Sequence, residues 1–105
     1  EKVQYGLTPE SFQVFKVFPN PFNPVTNINI SLSNSELSEQ FVTINIYDLT
    51  GKIVKEIHNG KMKKDDYKIQ WDGKNNFGTH VGSGVYLLTV DTNKFNYTKK
   101  LLFLK

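Results

Sequence analysis

The stretch Val42-Thr43-Ile44-Asn45-Ile46-Tyr47-Asp48-Leu49-Thr50-Gly51-Lys52-Ile53-Val54 holds an alternating run, a reversal and the start of a second run. Val42, Ile44 and Ile46 recur at every second position, with Thr43, Asn45 and Tyr47 between them. Successive side chains of an extended chain point to opposite faces, so this pattern puts three apolar β-branched side chains on one face of a half-buried strand. Leu49-Thr50-Gly51-Lys52 reads as a tight hairpin turn in which Gly51 supplies a positive φ. The unit is an antiparallel hairpin.

The same alternation runs outward in both directions. Asn27-Ile28-Asn29-Ile30-Ser31-Leu32-Ser33 alternates without a break; Tyr67, Ile69 and Trp71 share one face, as do Tyr86, Leu88 and Val90. Residues 99–104 are more continuously apolar and predict a strand central in its sheet. Asn59-Gly60 reads as a turn, Asp72-Gly73 and Phe77-Gly78 bracket a longer loop, and residues 92–94 link the last two strands. The helix-like stretch 35–39 is too short to stand as a helix. Strands are expected over 12–18, 26–33, 41–48, 52–58, 66–72, 84–92 and 95–104. That pattern predicts an all-β, immunoglobulin-like sandwich of about seven antiparallel strands in two sheets. Trp71, Ile44, Ile46, Ile28, Ile30, Tyr86 and Leu88 are the expected core.

A chain of 105 residues suits one such two-layer core and is too short for two. It holds no cysteine, which excludes disulfides, thiol catalysis and thiolate zinc sites. No run approaches the roughly 20 apolar residues of a membrane helix, and no membrane insertion is expected. All 13 basic residues are lysine against 10 acids. Without the bidentate fork of arginine, and with acids interspersed, this is a weak footprint for DNA or RNA. The first residue is Glu1, with no signal-peptide pattern, so the chain is read as a fragment of a longer protein.

Catalytic groups are not recognisable. His58 beside the expected 59–60 turn and His80 in a loop lack companions at ligand spacing and read as exposed turn residues. No serine sits in a strand-to-helix elbow, and the carboxylates are scattered. Neither an enzyme nor a cofactor is expected. The loop from Asp72 to Gly78 offers a weak calcium candidate in Asp72, Asn75 and Asn76. Lys74 in a ligand position and Phe77 where glycine belongs break the usual spacing, so folding without metal is expected. Trp71 shares its face with Ile69 and Tyr67, which points to packing rather than sugar stacking.

Phe18-Pro19-Asn20-Pro21-Phe22-Asn23-Pro24 holds three of the chain's 4 prolines. Proline removes a backbone donor and extends its predecessor, so this is a rigid crossing segment anchored by the rings of Phe18 and Phe22. Followed by residues 25–32, it resembles the opening of the C-terminal sorting domains of the bacterial type IX secretion system. The resemblance continues through 42–54, Trp71-Asp72-Gly73, Gly82-Ser83-Gly84-Val85-Tyr86 and the terminal residues 99–105. It covers 15–105; residues 1–14 read as the junction with a parent protein. The half from Trp71 to Tyr86 is also similar to the Ig-like domain of the flagellar hook-cap protein.

The resemblance implies a non-catalytic module that targets a larger exported protein across the outer membrane, through the periplasm, to the cell surface or the medium. Its implied partners are an outer-membrane translocon, a surface sortase and the cargo domains of the parent chain, with the module itself monomeric. The implied recognition set is Pro19, Asn20, Pro21, Phe22, Asn23, Pro24, Gly51, Gly84, Tyr86, Lys99, Lys100 and Lys105. Within it Gly51 and Gly84 hold turns and Tyr86 packs the core, while the proline segment and the last strand present the surface. The competing expectation is a permanent Ig-like accessory or carbohydrate-binding module of a secreted enzyme.

Overall fold

A computed structural model describes residues 13–32, 38–93 and 96–105. Seven strands follow one another: β1 (Gln13–Phe18), β2 (Thr26–Ser31), β3 (Glu39–Tyr47), β4 (Ile53–Lys63), β5 (Asp66–Trp71), β6 (Gly84–Asp91) and β7 (Asn96–Phe103). They form an antiparallel two-sheet sandwich, with one sheet ordered β1-β2-β5 and the other β4-β3-β6-β7. No helix occurs among the described residues. Gln13 and Val14 open β1; the rest of the expected 1–14 junction, residues 33–37 (which include 35–37 of the helix-like stretch), Lys94 and Phe95 lie outside the described residues.

The alternating residues build the core as their spacing dictates. Ile28 and Ile30 from β2, Val42, Ile44 and Ile46 from β3, Tyr86, Leu88 and Val90 from β6, and Leu101 and Phe103 from β7 are buried between the sheets. Trp71 joins them from β5. All seven side chains expected in the core are there.

Four expectations are corrected. Asn59-Gly60 is not a turn: both residues lie inside β4, with Gly60 opposite Val42 and Asn59 opposite Thr43. The long pairing with β3 and the burial of Met62 outweigh the local turn preference, and the chain reverses at 64–65 instead. His58 is therefore a half-buried mid-strand residue, its Nε2 lying 3.2 Å from the carbonyl of Gly60. The terminal strand β7 is at the edge of its sheet, not central, because its outer side is taken by the proline segment rather than by another strand. Phe18 does not bury its ring, which is 42% exposed. A bulge between Val14 and Lys16 leaves Val17 packed against the core, so the next residue points outward, with Lys16 Nζ 4.2 Å from the Phe18 ring centre.

Candidate functional site

Residues 19–24 cross from β1 to the far sheet and lie along the outer edge of β7. Asn20 makes the first attachment with both ends of its amide. Its Nδ2 donates to the Lys100 carbonyl at 2.8 Å, and its Oδ1 accepts from the Leu102 N–H at 2.9 Å. A side-chain amide thus does what a neighbouring strand's peptide group would do. Phe22 makes the second with its backbone: its N–H donates to the Leu102 carbonyl at 2.9 Å and its carbonyl accepts from the Leu104 N–H at 3.0 Å. The result is a short parallel bridge between Phe22 and Phe103. On the other side, the Thr26 hydroxyl donates to the Pro19 carbonyl at 2.8 Å and Asn27 Nδ2 to the Phe18 carbonyl at 3.2 Å.

The Phe22 ring turns inward and is 2% exposed. It stacks on Phe103 with ring centres 4.9 Å apart and lies 5.4 Å from Trp71, which meets Tyr86 edge-on at 5.4 Å. Such tilted and offset pairs suit the ring quadrupoles. The polar tips are satisfied: Trp71 Nε1 donates to the Lys74 carbonyl at 2.9 Å and the Tyr86 hydroxyl to the Gly82 carbonyl at 2.6 Å. Burial pushes the Tyr86 phenol above its ordinary pKa of 10.0, and the negative charge of Asp48 adds to the rise.

Strand register gathers most of the recognition set at one end of the sandwich. Tyr47 faces both Ile53 and Leu87, and Gly84 faces Phe103, so the 48–52 turn, Gly84, the proline segment and Lys105 share that end. The chain enters β1 at the opposite end, where Gln13, Ser31 and Asp66 line up across three strands. Pro19, Pro21, Asn23, Pro24, Gly51, Lys99, Lys100 and Lys105 are exposed, although Lys99 and Lys100 lie further along β7. The Lys105 N–H is held by Ser83 Oγ at 2.9 Å. Phe22 and Tyr86 are buried and support this surface without forming part of it, because their rings fill the gap beneath the proline segment. Gly84 opens β6, and Gly51 has the left-handed φ of 90° read from the sequence.

The 48–52 turn is organised by one carboxylate. Asp48 Oδ1 accepts from Thr50 Oγ1 at 2.6 Å, from the Thr50 N–H at 2.9 Å and from the Lys52 N–H at 3.0 Å. The Thr50 hydroxyl, and then the Lys52 amide, hold its carboxyl below the ordinary 3.8. A folded pKa below the unfolded one means that the stabilisation is present above 3.8 and is lost as pH falls through the lower folded value. The amide protons of Thr50 and Lys52 should therefore lose protection on acidification in solution NMR, and Asp48→Asn should abolish that dependence.

The calcium candidates are engaged elsewhere. Asp72 Oδ1 accepts from the Lys74 N–H, Asn75 Oδ1 from the Phe77 and Thr79 N–H groups, and Asn76 Oδ1 from the Glu56 N–H. Each of these oxygens thus accepts from a backbone amide. Among the described residues no group of three or more His, Cys, Asp or Glu could hold a metal ion. The same loop carries a feature the sequence reading missed: Phe77, at its apex, is 92% exposed. Its place after Asn75-Asn76 and before Gly78 was the available signal.

No curated protein matches the chain. PorU from Porphyromonas gingivalis, seen in a crystal structure of its dimeric latent form, is similar at 27% identity with a TM-score of 0.69, over 94% of this chain and 10% of PorU. PorZ, an essential surface component of the type-IX secretion system of the same bacterium, is similar in fold, at 19% identity with a TM-score of 0.56, over 86% of this chain and 11% of PorZ. The chain thus spans about a tenth of the length of either protein. The FlgD Ig-like domain family matches residues 22–95, beginning at the buried phenylalanine of the proline segment. With well over half of its length inside that match, the chain belongs to the FlgD Ig-like domain family.

Proposed function

We propose that this domain is a non-catalytic sorting signal of the type IX kind, which directs a larger exported bacterial protein across the outer membrane to the cell surface or the medium. One observation carries the reading: the proline segment and the terminal strand, the two ends of the resemblance, are bonded to each other through Asn20 and Phe22. A translocon would meet them as one folded surface at the end remote from the chain's entry into β1. Likeness to PorU, and in fold to a type IX surface component, supports the same assignment.

The test fuses residues 1–105, behind a standard export signal, to a reporter in a host with a type IX apparatus. The reporter should reach the surface or the medium. Removing residues 101–105 is a poor control, because it takes Leu101 and Phe103 out of the core. The exposed variants Asn23→Glu and Lys105→Glu together should lower export about tenfold, the equivalent of 1.4 kcal/mol of recognition, with an unchanged melting temperature. A reporter that stays in the periplasm with the intact domain overturns the proposal. A mature parent protein that keeps the domain favours the accessory-module reading.

A further inference from the structure

The two long sides of the sandwich are finished differently. Along the β1 and β7 side, residues 19–24 bridge the sheets and cover the outer edge of β7. Along the other side, β5 ends the three-stranded sheet and β4 ends the four-stranded one. Between them lies a cleft of about 340 Å³. Ile57 and Met62 of β4 form one wall and Tyr67 and Ile69 of β5 the other. The Tyr67 hydroxyl, which donates to the Lys63 carbonyl at 2.6 Å, fixes one end.

Both borders offer backbone. The Leu32 N–H donates to the Asp65 carbonyl, and Ser31 and Asp66 are the next opposed pair. Antiparallel alternation therefore turns the peptide groups of Tyr67 and Ile69 toward β2 and those of Lys68 and Gln70 outward. On β4, Asn76 covers the edge only at Val54 and Glu56. Among the described residues no strand pairs with β5 on its outer side. An unpaired edge beside an apolar cleft is the geometry for strand addition, with hydrogen bonds from the edge and specificity from alternate side chains.

The charge of the lining selects the occupant. His58, Lys61 and Lys63 also border the cleft, and among the described residues no carboxylate lines it. Lys61 Nζ reaches Glu39 at 3.4 Å, while Lys63 and the outward Lys68 are exposed. We propose that this cleft binds an extended acidic segment of a partner protein, in which aliphatic and acidic residues alternate and which adds to β5 as a fourth strand. Its backbone pairs with Lys68 and Gln70, its aliphatic side chains enter between Ile69 and Met62, and its carboxylates face the lysines. This site is separate from the sorting surface, and its failure would leave that reading untouched.

The probe is a synthetic peptide alternating valine and glutamate, titrated into the 105-residue chain. It should bind with a Kd below about 1 mM, more weakly at higher salt, and should protect the amides of Lys68 and Gln70 from hydrogen exchange. Methylating its alternate backbone nitrogens should weaken binding about tenfold or more, the loss of roughly one to two hydrogen bonds. Lys68→Pro removes an outward N–H from an edge strand, where proline is tolerated, and should act similarly with β2 pairing retained. Lys61→Glu with Lys63→Glu should reverse the preference toward a valine–lysine peptide. Absence of binding, indifference to the methylated nitrogens, equal binding of the valine–lysine peptide by the unaltered chain, or protection mapping to β6 and β7 would each overturn the proposal.

Discussion

Trp71→Ala should lower the free energy of unfolding by about 3 to 5 kcal/mol, the range for deleting a fully buried large aromatic side chain. The ring is 1% exposed and contacts Phe22, Phe103 and Tyr86, so its removal leaves a cavity in the aromatic cluster that joins both sheets to the proline segment. The Lys74 carbonyl also loses its donor. Against the roughly 5 to 15 kcal/mol of an ordinary domain, that loss brings the chain near unfolding. Urea denaturation followed by circular dichroism measures it, and a loss under about 1 kcal/mol would contradict the burial described. Trp71→Phe separates the causes: it keeps much of the volume but loses the indole donor, and should cost about 1 to 3 kcal/mol.

Gly73→Ala is expected to cost about 2 to 4 kcal/mol, the sum of two effects at one atom. Gly73 has φ of 75°, where a side chain is disfavoured by roughly 1 to 2 kcal/mol. The added Cβ would also lie 2.9 Å from Cζ of Phe103, whose ring is buried and packs against Phe22 and Trp71. Gly78→Ala provides the comparison, because φ is 82° there and nothing lies within 4 Å of the added atom. It should cost only the conformational part. The difference between the two melting curves isolates the contact with the ring, and equal losses would contradict it.

What was legible in the sequence is what depends on the alternation of neighbours. Ile28 and Ile30, or Val42, Ile44 and Ile46, announce their buried face because extended geometry leaves them no other. Gly51 announces its turn because the backbone there requires a positive φ. Features decided by a distant part of the chain were misread. Asn59-Gly60 has the chemistry of a turn, yet its pairing with β3 extends the strand through it. The apolar run at the end looks central, yet the neighbour of β7 on its outer side is the side chain of Asn20 and the backbone of Phe22. Phe18 and Phe22 look alike within the proline segment, and only the bulge in β1 and the bridge to β7 decide which ring is buried. For the candidate surface, the motifs marked segments that the fold brings to one end, and the core role of Tyr86 was legible, whereas the attachment of the proline segment to β7 through Asn20 needed three dimensions.

The bridge from Asn20 and Phe22 to residues 100–104 also sets an order in time. Asn20 and its partners stand 80 and 82 positions apart in a chain of 105. Contacts of such sequence separation form late, since the loop between them must be closed before they are gained. During synthesis, or during threading of the chain through a pore with its amino end leading, Phe22 emerges long before Phe103, and until Phe103 follows its ring lacks the closer of its two aromatic neighbours, Trp71 being the other. The sandwich is completed only when residues 100–104 are present, so a chain interrupted before them displays the Phe22 ring and an unfinished sheet to proteases. Completion of the fold thereby reports that the chain has been made at least as far as Leu104, whose N–H closes the bridge to Phe22.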